Sequence, residues 1–167
     1  GYGNSDGEPD DKKVVEDGLS AYDFLHKKLK VPEEKIVLYG ESLGCAVSSA
    51  IVKERPVRAV ILQSPFATLA ATAKDKIAWA KLYPDALFTQ DHLENLSPYL
   101  KEHPPLLLIH GEDDCILKSE YSKEIYEKAL EPKELLILPG HGHNDLYPDT
   151  SRQVAAKIKE FLSKKGS

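Results

Sequence analysis

The stretch Val37-Leu38-Tyr39-Gly40-Glu41-Ser42-Leu43-Gly44-Cys45-Ala46-Val47 constrains this chain more than any other. An apolar run ends in Gly-x-Ser-x-Gly and small residues follow, so a strand is expected to turn abruptly into a tightly packed helix. A turn that sharp forces Ser42 into a strained backbone conformation and lifts its hydroxyl off the sheet. Glycine is expected at positions 40 and 44 because any side chain there would collide with the neighbouring strand or helix. Three fixed positions match by accident in about one chain of this length in twenty, so the pattern alone decides little. The strand–turn–helix context marks Ser42 as a candidate nucleophile rather than an ordinary serine at the start of a helix.

The 167 residues suit a single domain that can bury a real core. The net charge of −5 is spread through interleaved acids and bases. With no basic stripe or arginine-rich tail, a nucleic-acid footprint is excluded. No apolar run reaches the length of a membrane span and no signal peptide is visible, so the expected setting is cytoplasmic. Cys45 and Cys115 are too few for a disulfide framework and read as reduced, small packing residues. No Cys/His/Asp spacing resembles a metal site, and no cofactor is expected. The opening GYGNSDGEPD is a turn-rich loop; its glycines do not fit G-x-G-x-x-G and no strand precedes them, which argues against a phosphate cradle.

Strands and helices are expected to alternate through the rest of the chain. Val14, Val15, Leu19, Tyr22, Leu25 and Leu29 recur at helical spacing over about 11–29. Residues 35–39 form the strand that feeds Ser42, and the next helix, about 44–54, stops before Pro56. A second strand is expected at 57–62 and a third at 106–109, both of the aliphatic kind buried on two faces. A helix is expected around 67–82, then a helix over 120–130, a strand over 134–138 and a last helix over 151–162. The pattern predicts the α/β class, a mostly parallel sheet covered on both sides in three layers.

In such a sheet the carboxyl ends of the strands share one edge, and sites collect there. Three ends carry reactive types in chain order: Ser42, then Asp113-Asp114, then the stretch from His141 to Asp145. A serine hydroxyl needs a base, a histidine can take and return the proton, and a carboxylate can fix that histidine's tautomer. Read from the residues alone, Asp113 and Asp114 compete for the acid, and His141 and His143 are nearly even as the base. His110 reads as structural, His26, His92 and His103 as solvated surface, and Asp145 as a carboxylate that fixes a loop.

These motifs resemble the α/β-hydrolases, in the α/β-hydrolase domain-containing (ABHD) and BEM46-like group, near serine aminopeptidase and monoacylglycerol lipase-like hydrolases. The resemblance rests on Gly1 to Gly7, Gly40-Glu41-Ser42-Leu43-Gly44, Ser64-Pro65-Phe66, His110-Gly111-Glu112-Asp113-Asp114 and Gly142-His143-Asn144-Asp145. It implies a serine hydrolase acting on an acyl ester or thioester, with Ser42 as nucleophile, Asp114 as acid and His143 as base. The backbone N–H of Leu43 is then the oxyanion donor, and the segment at about 64–103, with Phe66, Trp79, Tyr83 and Phe88, is a cap over an acyl pocket. The resemblance also implies that 1–167 is one domain lacking earlier strands, which would hold the second oxyanion donor. The sequence carries no methionine and starts at Gly1, so a piece of a longer protein is expected. An uncovered sheet edge beside Ser42 would invite self-association.

Overall fold

The computed structural model describes residues 3–8, 10–68, 72, 75, 93–145 and 151–164. Its first element, helix α1 (Asp11–Asp23), is started by Asp10, whose carboxylate accepts from the N–H groups of Lys12 and Lys13. The expected helix over 11–29 does not continue as one. A π-type turn over Phe24–Lys28 widens the helix and rotates later side chains off its apolar stripe, and Lys30 then adopts a left-handed φ of 57°. Leu25 and Leu29, read from spacing as part of that stripe, are exposed as a result.

Strand β1 (Val37–Glu41), helix α2 (Leu43–Glu54) and strand β2 (Ala59–Gln63) form the first crossover unit. Strand β3 (Leu106–Gly111), helix α3 (Ser119–Lys128) and strand β4 (Lys133–Leu138) form the next, and helix α4 (Ser151–Ser163) follows. All described pairings are parallel and the strand order is β1-β2-β3-β4. Every residue of β2 and β3 is buried, which explains their unbroken aliphatic runs.

The sheet's two faces divide by the period of two along each strand. Leu38, Val60, Leu62, Leu106, Leu108 and Leu135 meet α2 and α3 on one side. Ala59, Ile61, Leu107, Ile109 and Leu136 meet Val154 and Phe161 of α4 on the other. Helix α1 lies against α2, where Gly18 permits the approach: a Cβ there would sit 2.7 Å from a methyl of Val47. The result is the expected three-layer α/β architecture, built on four parallel strands. Among the described residues β1 pairs with β2 alone, and Tyr39 on it is exposed.

Between β2 and β3 the chain leaves and returns at one point. Thr68 and Glu94 form an antiparallel bridge, and the Asn95 N–H donates to Ala67 O. The Asn95 side chain donates to Phe66 O and accepts from the Ser49 hydroxyl, which also meets the buried Tyr99 hydroxyl at 3.0 Å. The helix expected around 67–82, with Trp79, falls almost wholly outside the described residues, as do Tyr83, Phe88 and His92. Among the described residues, no helix is long and apolar enough to cross a membrane.

Candidate active site

Ser42 sits where β1 gives way to α2, with φ 52° and ψ −117°. A non-glycine residue in that region stores about 1–3 kcal/mol, so the surrounding fold must hold it there. Two contacts do so. The Ser42 N–H donates to Gln63 O at the end of β2, and Ser42 O accepts from the N–H of Cys45. A Cβ on Gly40 would lie 2.4 Å from Gly44 O, so only glycine lets the helix fold back over the strand. The expectation for Gly44 is different in outcome: no described atom lies within 4 Å of a Cβ built there. The backbone of that first turn packs on Gly40, but a side chain at position 44 would enter open space, so position 44 carries no steric demand of that kind.

Beneath the turn, the fully buried Cys45 places its thiol 3.2 Å from Gly40 O and 3.1 Å from Gln63 O. Burial pushes that thiol well above its ordinary pKa, so it stays protonated and packs as a small donor. Cys115 is exposed, so the packing role read for both cysteines holds for Cys45 alone.

The sheet's carboxyl edge brings Asp114 and His143 to Ser42. His143 Nδ1 lies 2.6 Å from Asp114 Oδ2, and His143 Nε2 lies 3.2 Å from Ser42 Oγ. The carboxylate can only accept, so Nδ1 carries the proton and Nε2 is free to accept from the serine hydroxyl. Asp114 is buried, and burial alone would raise its pKa. The hydrogen bond from His143 and those from the N–H groups of Leu117 and Ile116 outweigh that and hold the carboxyl below its ordinary value.

The alternatives are placed elsewhere. Asp113 is exposed, its N–H donating to His141 O. His141 turns its Nδ1 to Pro139 O at 2.8 Å, away from the acid. Asp145 accepts from the N–H of Gly142 and so closes the histidine loop on itself, as expected. That loop presses against the end of β3, where a Cβ on Gly111 would come within 2.3 Å of His141 O. His103, read as solvated surface, is instead buried between Pro104 O and Leu130 O. His110 is fully buried and touches Asp114, a contact that sequence reasoning missed. The one available signal was its place four residues before the acid at a strand end.

As the first residue of α2, Leu43 has a backbone N–H with no acceptor inside the helix. The Ser42 N–H is already used by Gln63 O, so it is not open to a further acceptor. Among the described residues no group of three or more His, Cys, Asp or Glu side chains could hold a metal.

The profile of the prolyl oligopeptidase family matches residues 8–166. The human alpha/beta hydrolase domain-containing protein 17B is 30% identical over 98% of this chain and 54% of its own length. The esterase domain of a Rhodothermus marinus protein superposes with a TM-score of 0.66 at 23% identity, over 87% of this chain and 65% of that one. A puromycin-hydrolyzing peptidase of Mycobacterium tuberculosis gives 0.72 at 17% identity, over 91% of this chain and 26% of that one. The chain spans 48% to 57% of the length of such curated relatives. With nearly its whole length matched, this chain belongs to the prolyl oligopeptidase family, in the α/β-hydrolase superfamily beside the α/β-hydrolase domain-containing proteins.

Proposed function

We propose that this chain carries the catalytic triad of a serine hydrolase that cleaves an acyl ester or thioester through an acyl-enzyme on Ser42. One observation supports this most: Ser42, His143 and Asp114 form a continuous hydrogen-bonded chain, at 3.2 and 2.6 Å, on a strained strand-to-helix turn. In the proposed reaction His143 Nε2 takes the Ser42 proton as Oγ attacks the carbonyl carbon. The Leu43 N–H donates to the oxygen as it becomes negative. The proton passes from His143 to the departing alcohol or thiol. Water, deprotonated by the same nitrogen, then releases the acid and restores Ser42.

The reading treats 1–167 as one domain, with a cap over about 64–103. Its support is the bridge between Thr68 and Glu94, which closes that excursion at its base. The compartment proposed is the cytoplasm, on the ground that two cysteines are too few for the disulfide framework of a secreted domain. The edge of β1 is offered as a site of self-association, to be read from a concentration-dependent mass in solution.

A panel of acyl esters, thioesters and amides of increasing chain length tests the activity. Hydrolysis of esters and thioesters ahead of amides, lost in Ser42→Ala, is the expected result. Faster cleavage of the amides would move the chain to the peptidase reading. Equal turnover by wild type and Ser42→Ala would remove the proposal, and no turnover by wild type would leave a binding module built on a hydrolase scaffold.

A further inference from the structure

His110 stands on the penultimate residue of β3, with its side chain on the face covered by α2 and α3. It is fully buried and meets three polar groups. Nε2 lies 2.8 Å from Leu117 O and 3.2 Å from Asp114 Oδ2, and Nδ1 lies 2.7 Å from the Ser122 hydroxyl on α3. A carbonyl and a carboxylate can only accept, so Nε2 carries a proton. The hydrogen bond goes to Leu117 O, and Asp114 Oδ2 lies beside the same nitrogen at the longer distance. Burial lowers the pKa of His110, which leaves the ring neutral and Nδ1 as an acceptor for the Ser122 hydroxyl. The accept-only Leu117 O thus fixes the proton on Nε2, and Ser122, itself fully buried, donates to Nδ1 and orients the ring.

Asp114 is thereby surrounded. Oδ1 accepts from two backbone N–H groups, at 2.8 and 2.7 Å, while Oδ2 faces His143 on one side and His110 on the other. The backbone pair anchors one oxygen but leaves the carboxyl free to pivot about it. The second oxygen is the one that meets His143, and the edge of His110 closes the other side of its range. A neutral ring can do this without competing with His143 for the negative charge.

We propose that His110, its ring held between Ser122 and Leu117 O, is a positioning residue that holds Asp114 Oδ2 against His143 Nδ1. It extends the described chain to Ser122, His110, Asp114, His143 and Ser42, tying helix α3 to the nucleophile. This rests on the serine hydrolase reading above, and His110 touches no reacting atom.

Two amides separate positioning from packing. In His110→Gln the amide nitrogen reaches the place of Nε2 and keeps a donor beside Asp114. In His110→Asn it reaches only the place of Nδ1. The expected result is a fluorophosphonate labelling rate that falls roughly a hundredfold in His110→Asn, the scale of a catalytic group displaced by about 1 Å. His110→Gln restores most of it, at equal thermal midpoints. The low-field proton NMR signal of His143 Nδ1–H weakens in His110→Asn and returns in His110→Gln. Should His110→Asn fail to fold, Ser122→Ala carries the test and is expected to lower both readouts. Wild-type rate and signal in His110→Asn or in Ser122→Ala, or an equal loss in His110→Gln, would overturn the proposal. A wild-type chain that takes no label refutes the hydrolase reading instead, and the NMR signal still decides the positioning.

Discussion

Replacing Gly40 and Gly44 by alanine, one at a time, separates the two glycines that the motif treats alike. At position 40 the new methyl would lie 2.4 Å from Gly44 O and 2.7 Å from both N and Cα of Cys45. Ordinary contact begins at 3.4 Å, so α2 must lift away from β1 by about 1 Å. All three clashing atoms are backbone, and no side-chain rotation relieves them. Overpacking of this kind costs about 1–3 kcal/mol, or roughly 2–4 °C of thermal midpoint per kcal/mol at this chain length. The same lift carries Ser42 away from His143, and a displacement near 1 Å lowers the reaction rate by roughly a hundredfold. Gly44→Ala meets no described atom within 4 Å and lies in a helix, where alanine is favoured over glycine by up to about 1 kcal/mol. Urea unfolding followed by circular dichroism, with fluorophosphonate labelling rates beside it, reads both effects. Gly40→Ala is expected to lose stability and labelling together, and Gly44→Ala to keep or gain stability. Equal destabilisation by the two substitutions would refute the steric reasoning.

At the other end of the site, Gly111→Ala would drive the histidine loop off β3, with a methyl 2.3 Å from His141 O. It should abolish labelling while costing about 1–3 kcal/mol in urea unfolding; unchanged labelling would show that the loop yields freely. Asn95→Ala leaves Phe66 O without the Asn95 amide and the Ser49 hydroxyl with the Tyr99 hydroxyl alone, in a buried place. A loss of about 1–3 kcal/mol per unsatisfied group is expected, visible as an earlier urea midpoint. Asp23 is held at about 2, first by its hydrogen bond from Arg55 and then by that from Lys27. A depressed carboxylate stabilises the fold above its unfolded pKa and loses that contribution as pH falls through the folded one. Asp23→Asn should therefore be less stable than wild type at neutral pH. The gap should narrow between pH about 4 and about 2 in an acid titration followed by circular dichroism.

Much of this arrangement was legible because strong local rules agree with the fold. The aliphatic runs of β2 and β3 can only be buried on both faces, and Gly-x-Ser-x-Gly after a strand dictates the positive φ of Ser42. What remained open was set by contacts between distant segments. Spacing could not choose between Asp113 and Asp114, because the choice depends on which carboxyl the Ile116 and Leu117 N–H groups reach. Nor could it choose between His141 and His143, since Pro139 O captures the first ring. The stripe through Leu25 and Leu29 misled because a π-type turn shifts the helical phase, and periodicity carries no sign of it. His103 and His110 looked ordinary for a similar reason: their burial comes from the loops and helix that close over them.

The central claim is that Ser42 is a nucleophile activated through His143 and Asp114. Fluorophosphonate labelling followed by peptide mapping in a mass spectrometer tests it most directly. The expected result is a single phosphonylated peptide containing Ser42, absent from Ser42→Ala and strongly reduced in His143→Ala and Asp114→Ala. Equal labelling of Ser42→Ala, or full labelling of Ser42 when His143 is removed, would contradict it.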